Sequence, residues 1–245
     1  MIKMRLRFSK TGQLRFIGHL DFLKVFQQTL RRAGLPMAYS QGFNPHMQLS
    51  FALPVPLGMA SINDYADISL ESAMPADEIC QRFNEYAPAG LYMSIAWEVT
   101  GPGAAALVTA ADYDLYEPLG VNESAANEII QSLLSRDSIV IPKKIKSGVK
   151  DTDIRPDILD LSVVAAVTDA CDDITQKNEN EYEKKQKPCI SMRLSAGSGR
   201  FLNPLIVAKL LTERDIAPSQ LSRLELYLGC EEKGFVSMAY GSTKM

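Results

Sequence analysis

From Ile2 to Ser9 the chain alternates: Ile2, Met4, Leu6 and Phe8 fall on one side, and Lys3, Arg5 and Arg7 on the other. This is the period of a half-buried strand, and it predicts a core face backed by a basic stripe. The period then changes. Leu20, Leu23, Phe26, Leu30 and Ala33 recur at helical spacings, with Lys24, Gln28, Arg31 and Arg32 between them. A helix from His19 to Ala33 follows, opened at Gly18 and stopped by Gly34.

Beyond it, Met37-Ala38-Tyr39 reads as extended, Ser40 to His46 as a punctuated loop, and Leu49-Ser50-Phe51 as extended again. The proline-rich Leu53–Gly58 connection leads to an alternating strand from Tyr65 to Glu71. Pro75, Asp77 and Glu78 open a second helix, striped by Ile79, Cys80, Phe83 and Tyr86. Leu91 to Val99 completes this half as a strand.

Gly101-Pro102-Gly103 reads as a linker, after which the pattern restarts. A strand at Tyr113–Tyr116 precedes a helix capped by Asn122 that turns Ala126, Ile129, Ile130, Leu133 and Leu134 inward. Strands at 139–141 and 158–164 are joined by a basic loop carrying Lys143, Lys144, Lys146 and Lys150. A strand at Ile190–Leu194, a helix capped by Asn203 with Pro204 at its first position, and a strand at Leu221–Leu228 finish the half. Residues 172–187 are charged and lack periodic hydrophobics, so they read as an exposed hairpin loop. The repeated order predicts an α+β chain of two tandem ferredoxin-like (βαββαβ) domains with antiparallel sheets, at residues 1–100 and 108–230.

Composition adds little to this: 245 residues, 46% hydrophobic and 22% charged, suffice for a core without staples. The N-terminal residues contain no apolar h-region, and no stretch approaches a membrane span. A soluble, cytoplasmic protein is the expectation. Cys80, Cys171, Cys189 and Cys230 are far apart, without the short paired spacings of metal or redox motifs, so no metal and no cofactor are expected.

Charge changes the picture more. The net value is −3, but residues 1–63 hold eight basic side chains against the single acid Asp21. Such asymmetry points to a localised anion-binding surface on an acidic body. Lys3, Arg5 and Arg7 supply phosphate contacts in this reading, with Arg31 beside them. The same strand face offers no aromatic for stacking bases, which favours backbone binding over base reading. The segment Tyr39, Ser40, Gln41, Gly42, Phe43, Asn44, Pro45 and His46 packs donors, acceptors and turn formers into a recognition loop, made rigid where Asn44 precedes Pro45. His46 serves either as a proton shuttle, since imidazole titrates near about 6.5, or as a structural hydrogen-bonding group. His19 is the second candidate acid or base. Its neighbour Asp21 is already explained by the helix dipole.

Gly18-His19-Leu20-Asp21, Leu30 to Pro36, Tyr39 to His46 and Pro56-Leu57-Gly58 together resemble the radical-SAM-linked protein family, found beside or fused behind radical-SAM proteins. Ser195 to Arg200 followed by Asn203-Pro204 is similar to the family's second landmark. The resemblance covers roughly the first 70 residues and implies a separate radical-SAM iron–sulfur partner. The chain lacks the CxxxCxxC run that such a cluster requires. The tandem architecture also resembles CRISPR repeat-processing endonucleases. The expectation is an accessory protein that presents RNA or another phosphorylated substrate in an inter-domain cleft. A metal-independent endoribonuclease using His46 or His19 and a protein-only scaffold docking through Leu49–Met59 stand as alternatives.

Overall fold

Strict alternation carries Ile2–Lys10 into the first strand (β1), and the helical spacing that follows carries His19–Arg32 into the first helix (α1), after a 3-10 turn at Gly12–Phe16. The structure, a computed structural model, describes residues 1–116, 123–145, 148–165, 188–228 and 235–239. The first half continues with β2 (Leu49–Phe51), β3 (Ala60–Leu70), α2 (Ala76–Tyr86) and β4 (Leu91–Glu98). After the short helix α3 (Ala104–Leu107) come β5 (Val108–Leu115), α4 (Glu123–Leu134), β6 (Val140–Ile145) and β7 (Gly148–Asp153). Then β8 (Ile158–Ala165), β9 (Pro188–Ser195), α5 (Pro204–Thr212), β10 (Leu221–Leu228) and β11 (Val236–Ser237) complete the described chain.

Nine strands form one sheet in the order β4-β1-β3-β10-β5-β9-β8, with β2 also on β3 and β11 on β10. The fold is therefore mixed α/β, built on a large and mostly antiparallel sheet. Among the described residues its one parallel pairing joins β10 to β3 through Ser222 opposite Ala60 and Arg223 opposite Ser61. The long strand β3 thus serves two partners on one edge. β2 takes its far end, opposite Ala66–Ile68, and β10 takes its beginning. The chain leaving β2 stays beside the stretch between them, where Ala52 N–H donates to Tyr65 O at 2.8 Å.

The helices bury their apolar stripes in two clusters. Met4, Leu6 and Phe8 of β1 pack with Phe22, Phe26 and Leu30 of α1 and Ile79 and Phe83 of α2. Ala111 and Leu115 of β5 pack with Ile130 and Leu133 of α4, Met192 of β9, and Val207 and Leu211 of α5. No helix among the described residues is long and apolar enough to cross a membrane.

Three details depart from the sequence pattern. The strands expected from Tyr65 and Tyr113 begin earlier, at Ala60 and Val108. The segment from Lys143 to Lys150 does not run as a loop: β6 and β7 pair as a two-stranded ribbon apart from the sheet. Such a ribbon has little core face to bury, so hydrophobic alternation does not announce it. The expected hairpin loop at 172–187 and the Asn122 cap lie outside the described residues.

Candidate functional site

β1 presents Lys3, Arg5 and Arg7 on the sheet face opposite α1, yet they do not form the expected exposed basic stripe. The register sets Arg5 directly opposite Asp67 of β3. Arg5 donates from Nε to Oδ1 at 2.7 Å and from Nη2 to Oδ2 at 3.1 Å, and is only 4% exposed. The linker closes over this pair: Pro102 O accepts from Arg5 at 3.3 Å, and Ala104 N–H donates to Asp67 at 2.7 Å. Lys3 Nζ stands 3.3 Å from the same carboxylate. Burial pushes the Asp67 carboxyl up, but the hydrogen bonds from Arg5 and Ala104 outweigh it and hold the group below the usual Asp value. Arg7 donates to Asn63 Oδ1 at 2.8 Å and lies 3.8 Å from Glu225 of β10. These cations join sheet to linker and half to half. Two acids distant in sequence pair with them: Lys3 and Arg5 share Asp67, and Arg7 faces Glu225.

The recognition loop is closed by its own backbone. Ser40 N–H donates to His46 O at 2.8 Å, His46 N–H to Ser40 Oγ at 2.9 Å, and Tyr39 bridges to Met47. Gly42 makes the turn with φ 123°, in the region that favours glycine. Tyr39 is half-buried, and Gln41 to His46 project into solvent, with Phe43 wholly exposed at the tip.

A different group gathers where β1 ends. Lys10, buried to 3% exposure, lies within electrostatic reach of Asp64 of β3 and Arg223 of β10, which are buried as well. Arg223 donates to Asp64 Oδ1 and to Leu53 O, the latter at 2.6 Å, so it ties β10 to the proline-rich connection. Tyr113 of β5 lies next to Arg223. Lys10 Nζ donates to Ile17 O at 3.2 Å and sits 4.7 Å from the centre of the Phe22 ring. With Asp64 ionised the cluster holds two cations against one anion, and a proton on Asp64 would only widen the excess. Burial pushes the Lys10 ammonium below its usual value, Asp64 opposes this, and Arg223 adds to it.

Lys10 and Asp64 of this cluster line a small pocket. Phe8, Phe22 and Phe51 wall it together with Leu53, Pro54 and Val55. His19, exposed at the start of α1, forms the mouth and meets Phe51 edge to face at 5.7 Å. Gly18 caps the helix without a side-chain hydrogen bond, so the cap residue offers no acceptor to the first-turn N–H groups. From there Lys24, Arg31 and Arg32 continue along the exposed side of α1, with Lys24 held 3.1 Å from Asp21. His19 and Arg31 are thus placed on one exposed helix, whereas Lys3, Arg5 and Arg7 are held on the far side of the sheet.

The glycine-rich turn after β9 has a packing role. A side chain at Gly197 would meet the Val108 carbonyl oxygen at 2.0 Å. Asn203 caps α5 through Oδ1, which accepts from Leu205 N–H at 3.1 Å. The residues that sequence reasoning missed are Lys10, Asp64 and Arg223. The available signal was weak: charged residues inside segments otherwise fit for strand cores.

Residues 3–204 match a protein-family model described as uncharacterized protein conserved in bacteria, DUF2344. Lys10 and Asp64 fall inside the match and Arg223 beyond it. No curated protein matches the chain.

Proposed function

We propose that this chain, which belongs to the DUF2344 family of uncharacterized proteins conserved in bacteria, is a cytoplasmic accessory protein that binds RNA or another phosphorylated substrate for a separately encoded radical-SAM enzyme. The observation that carries this reading is the pocket with a buried excess of positive charge, set at the head of a basic helix. A buried cation without a matching anion is unfavourable. A phosphate at the mouth of the pocket supplies that anion, and Phe51 and His19 offer faces for a base or sugar beside it. Along α1, from His19 to Arg32, about 20 Å of exposed helix carries the strand's further phosphates past Lys24, Arg31 and Arg32. The Ser40–His46 loop supplies the adaptable contacts. The partner brings the cluster and the reaction, since Cys80, Cys171, Cys189 and Cys230 lack the spacing to bind one.

We read the architecture as two ferredoxin-like units, residues 1–100 and 108–230, joined edge to edge through β3 and β10. In support, the order β4-β1-β3-β2 of the first half recurs as β10-β5-β9-β8 in the second, each strand antiparallel to its neighbour. The pocket then sits at the seam, where Arg223 of the second unit meets Asp64 of the first.

Two other readings each have an observation in their favour. His19 at the mouth is placed for acid–base work on RNA. Leu20 and Leu57, 69% and 59% exposed, offer apolar area for a protein-only contact. Incubation of the purified protein with total small RNA separates all three as cleavage, retention of intact RNA, or neither. The proposal expects retention.

A further inference from the structure

We infer that the two-stranded ribbon β6–β7 is a second RNA contact of this protein, a lysine clamp on the phosphate backbone that reads no bases. It goes beyond the path along α1 and rests on the RNA reading only for the identity of the anion. The ribbon stands apart from the main sheet and is anchored to the body at one end. There Ile139 and Ile154 are buried, and Ile154 N–H donates to Ile139 O at 2.9 Å. Asp153 Oδ1 fixes the same end, accepting from Ile139 N–H at 2.8 Å and from Arg155 N–H at 3.0 Å. Val140 and Val149 are 58% and 65% exposed, so the ribbon itself lies open to a partner.

The register sets Lys143 directly opposite Lys150. Both are exposed, and neither has an ion-pair partner among the described residues. Like charges facing each other across a strand pair destabilise it, and a ribbon of two strands is marginal to begin with. The nearby acids do not relieve this repulsion. Successive residues of a strand face opposite sides, so Asp151 and Asp153 belong to the other face, and Asp153 is already engaged at the anchored end. Positions directly opposite are about 5 Å apart at Cβ, so two flexible lysine stems can bring both ammoniums to one phosphate. That phosphate turns a repelling pair into an attracting one. Lys144 and Lys146 add charge to the same stretch of sequence.

Charge complementarity therefore selects an anion, and composition narrows it. Residues 139–153 include no Phe, Tyr or Trp. The ribbon has neither a platform on which bases stack nor the aromatic anchors of a membrane interface. A phosphate backbone, bound without regard to sequence, is the partner it fits.

The test measures binding of a single-stranded oligoribonucleotide from low to moderate salt. It compares the full-length wild type, the double variant Lys143→Gln, Lys150→Gln, the single variant Lys150→Glu, and the α1 variant Lys24→Gln, Arg31→Gln, Arg32→Gln. The double variant should bind more weakly, with a log–log slope shallower by about 0.7, the share of one single-strand phosphate. Lys150→Glu sets opposite charges across the ribbon, so it should lose at least as much of the slope and melt no lower than the wild type. Its loss of binding is then not a loss of folding. Superimposable titrations of the wild type and both ribbon variants would overturn the inference, and weakening of the α1 variant in the same series would leave the RNA reading standing without it. A ribbon effect with no α1 effect would keep the clamp and remove the path along α1. If the wild type binds no RNA, the inference and the RNA reading both fall. Binding instead to vesicles of anionic phospholipid, lost in the double variant, would assign the ribbon to a membrane surface and overturn its assignment to RNA.

Discussion

Arg5 and Asp67, 62 residues apart in sequence, face each other across β1 and β3 in a two-pronged ion pair that the linker seals at Pro102 and Ala104. A residue that reads locally as a solvated cation is thereby a buried fastening. Arg5→Gln leaves Asp67 short of its main donor and should destabilise the fold by about 3 kcal/mol, far above a surface change. The pH dependence has a fixed sign. Asp67 titrates below its ordinary 3.8, so its stabilisation is complete above that value and is lost as pH falls through the depressed one. Thermal melts from pH 6 downward should show this loss in wild type and a weaker one in Arg5→Gln.

Lys10 should behave in the opposite way. Its buried charge opposes folding, so Lys10→Met should raise stability by about 1 kcal/mol, or roughly 2–4 °C for a chain of this size. Because burial lowers its folded pKa below 10.5, the unfolded chain binds the extra proton, and wild-type stability from this group should rise as pH climbs from the lowered value toward 10.5. Lys10→Met should lack that rise. A melt showing lower stability for the variant at neutral pH would mean that the ammonium is a structural group satisfied in the empty protein.

Gly197→Ala should cost about 2 kcal/mol or more, since φ is +116° and the new carbon would press on the Val108 carbonyl. Gly199→Ala, with open space at its Cβ position, should be nearly silent. Chemical denaturation of the pair checks both. Equal effects would argue that the glycine-rich turn acts through something other than this close approach.

His46 is exposed, and its hydrogen bonds to Ser40 run through its backbone. His46→Ala should therefore stay within about 0.5 kcal/mol of wild type and leave retention of RNA unchanged. If RNA is cleaved at all, the loss should follow His19→Ala, the histidine at the pocket. Gel analysis of RNA incubated with each variant distinguishes them.

Elements with a strong local period are legible in the sequence. The alternation of Ile2 to Phe8 specifies β1, the spacing of Phe26, Leu30 and Ala33 specifies the buried face of α1 although Leu20, expected on the same stripe, is exposed, and Asn203-Pro204 marks the start of α5 through a cap that needs only its neighbours. What escapes depends on register between distant segments. Nothing near Arg5 announces Asp67, and nothing near Lys10 announces Asp64 or Arg223, which meet only because β3 runs long enough to pair with β2 and β10 on one edge. The charge asymmetry holds as a count but does not form one surface. Lys3, Arg5 and Arg7 meet acids and amides from elsewhere, while Lys24, Arg31 and Arg32 stay at the surface.

The central claim is that an anionic strand lies from the Lys10 pocket along α1, and salt titration reads it most directly. Binding of a single-stranded oligoribonucleotide should be measured from low to moderate salt for wild type and for the triple variant Lys24→Gln, Arg31→Gln, Arg32→Gln. The account predicts that the variant folds as wild type does and that its log–log slope is shallower by about 0.7 for each phosphate that is no longer neutralised. Superimposable curves, or no binding by the wild type at any salt, would contradict it.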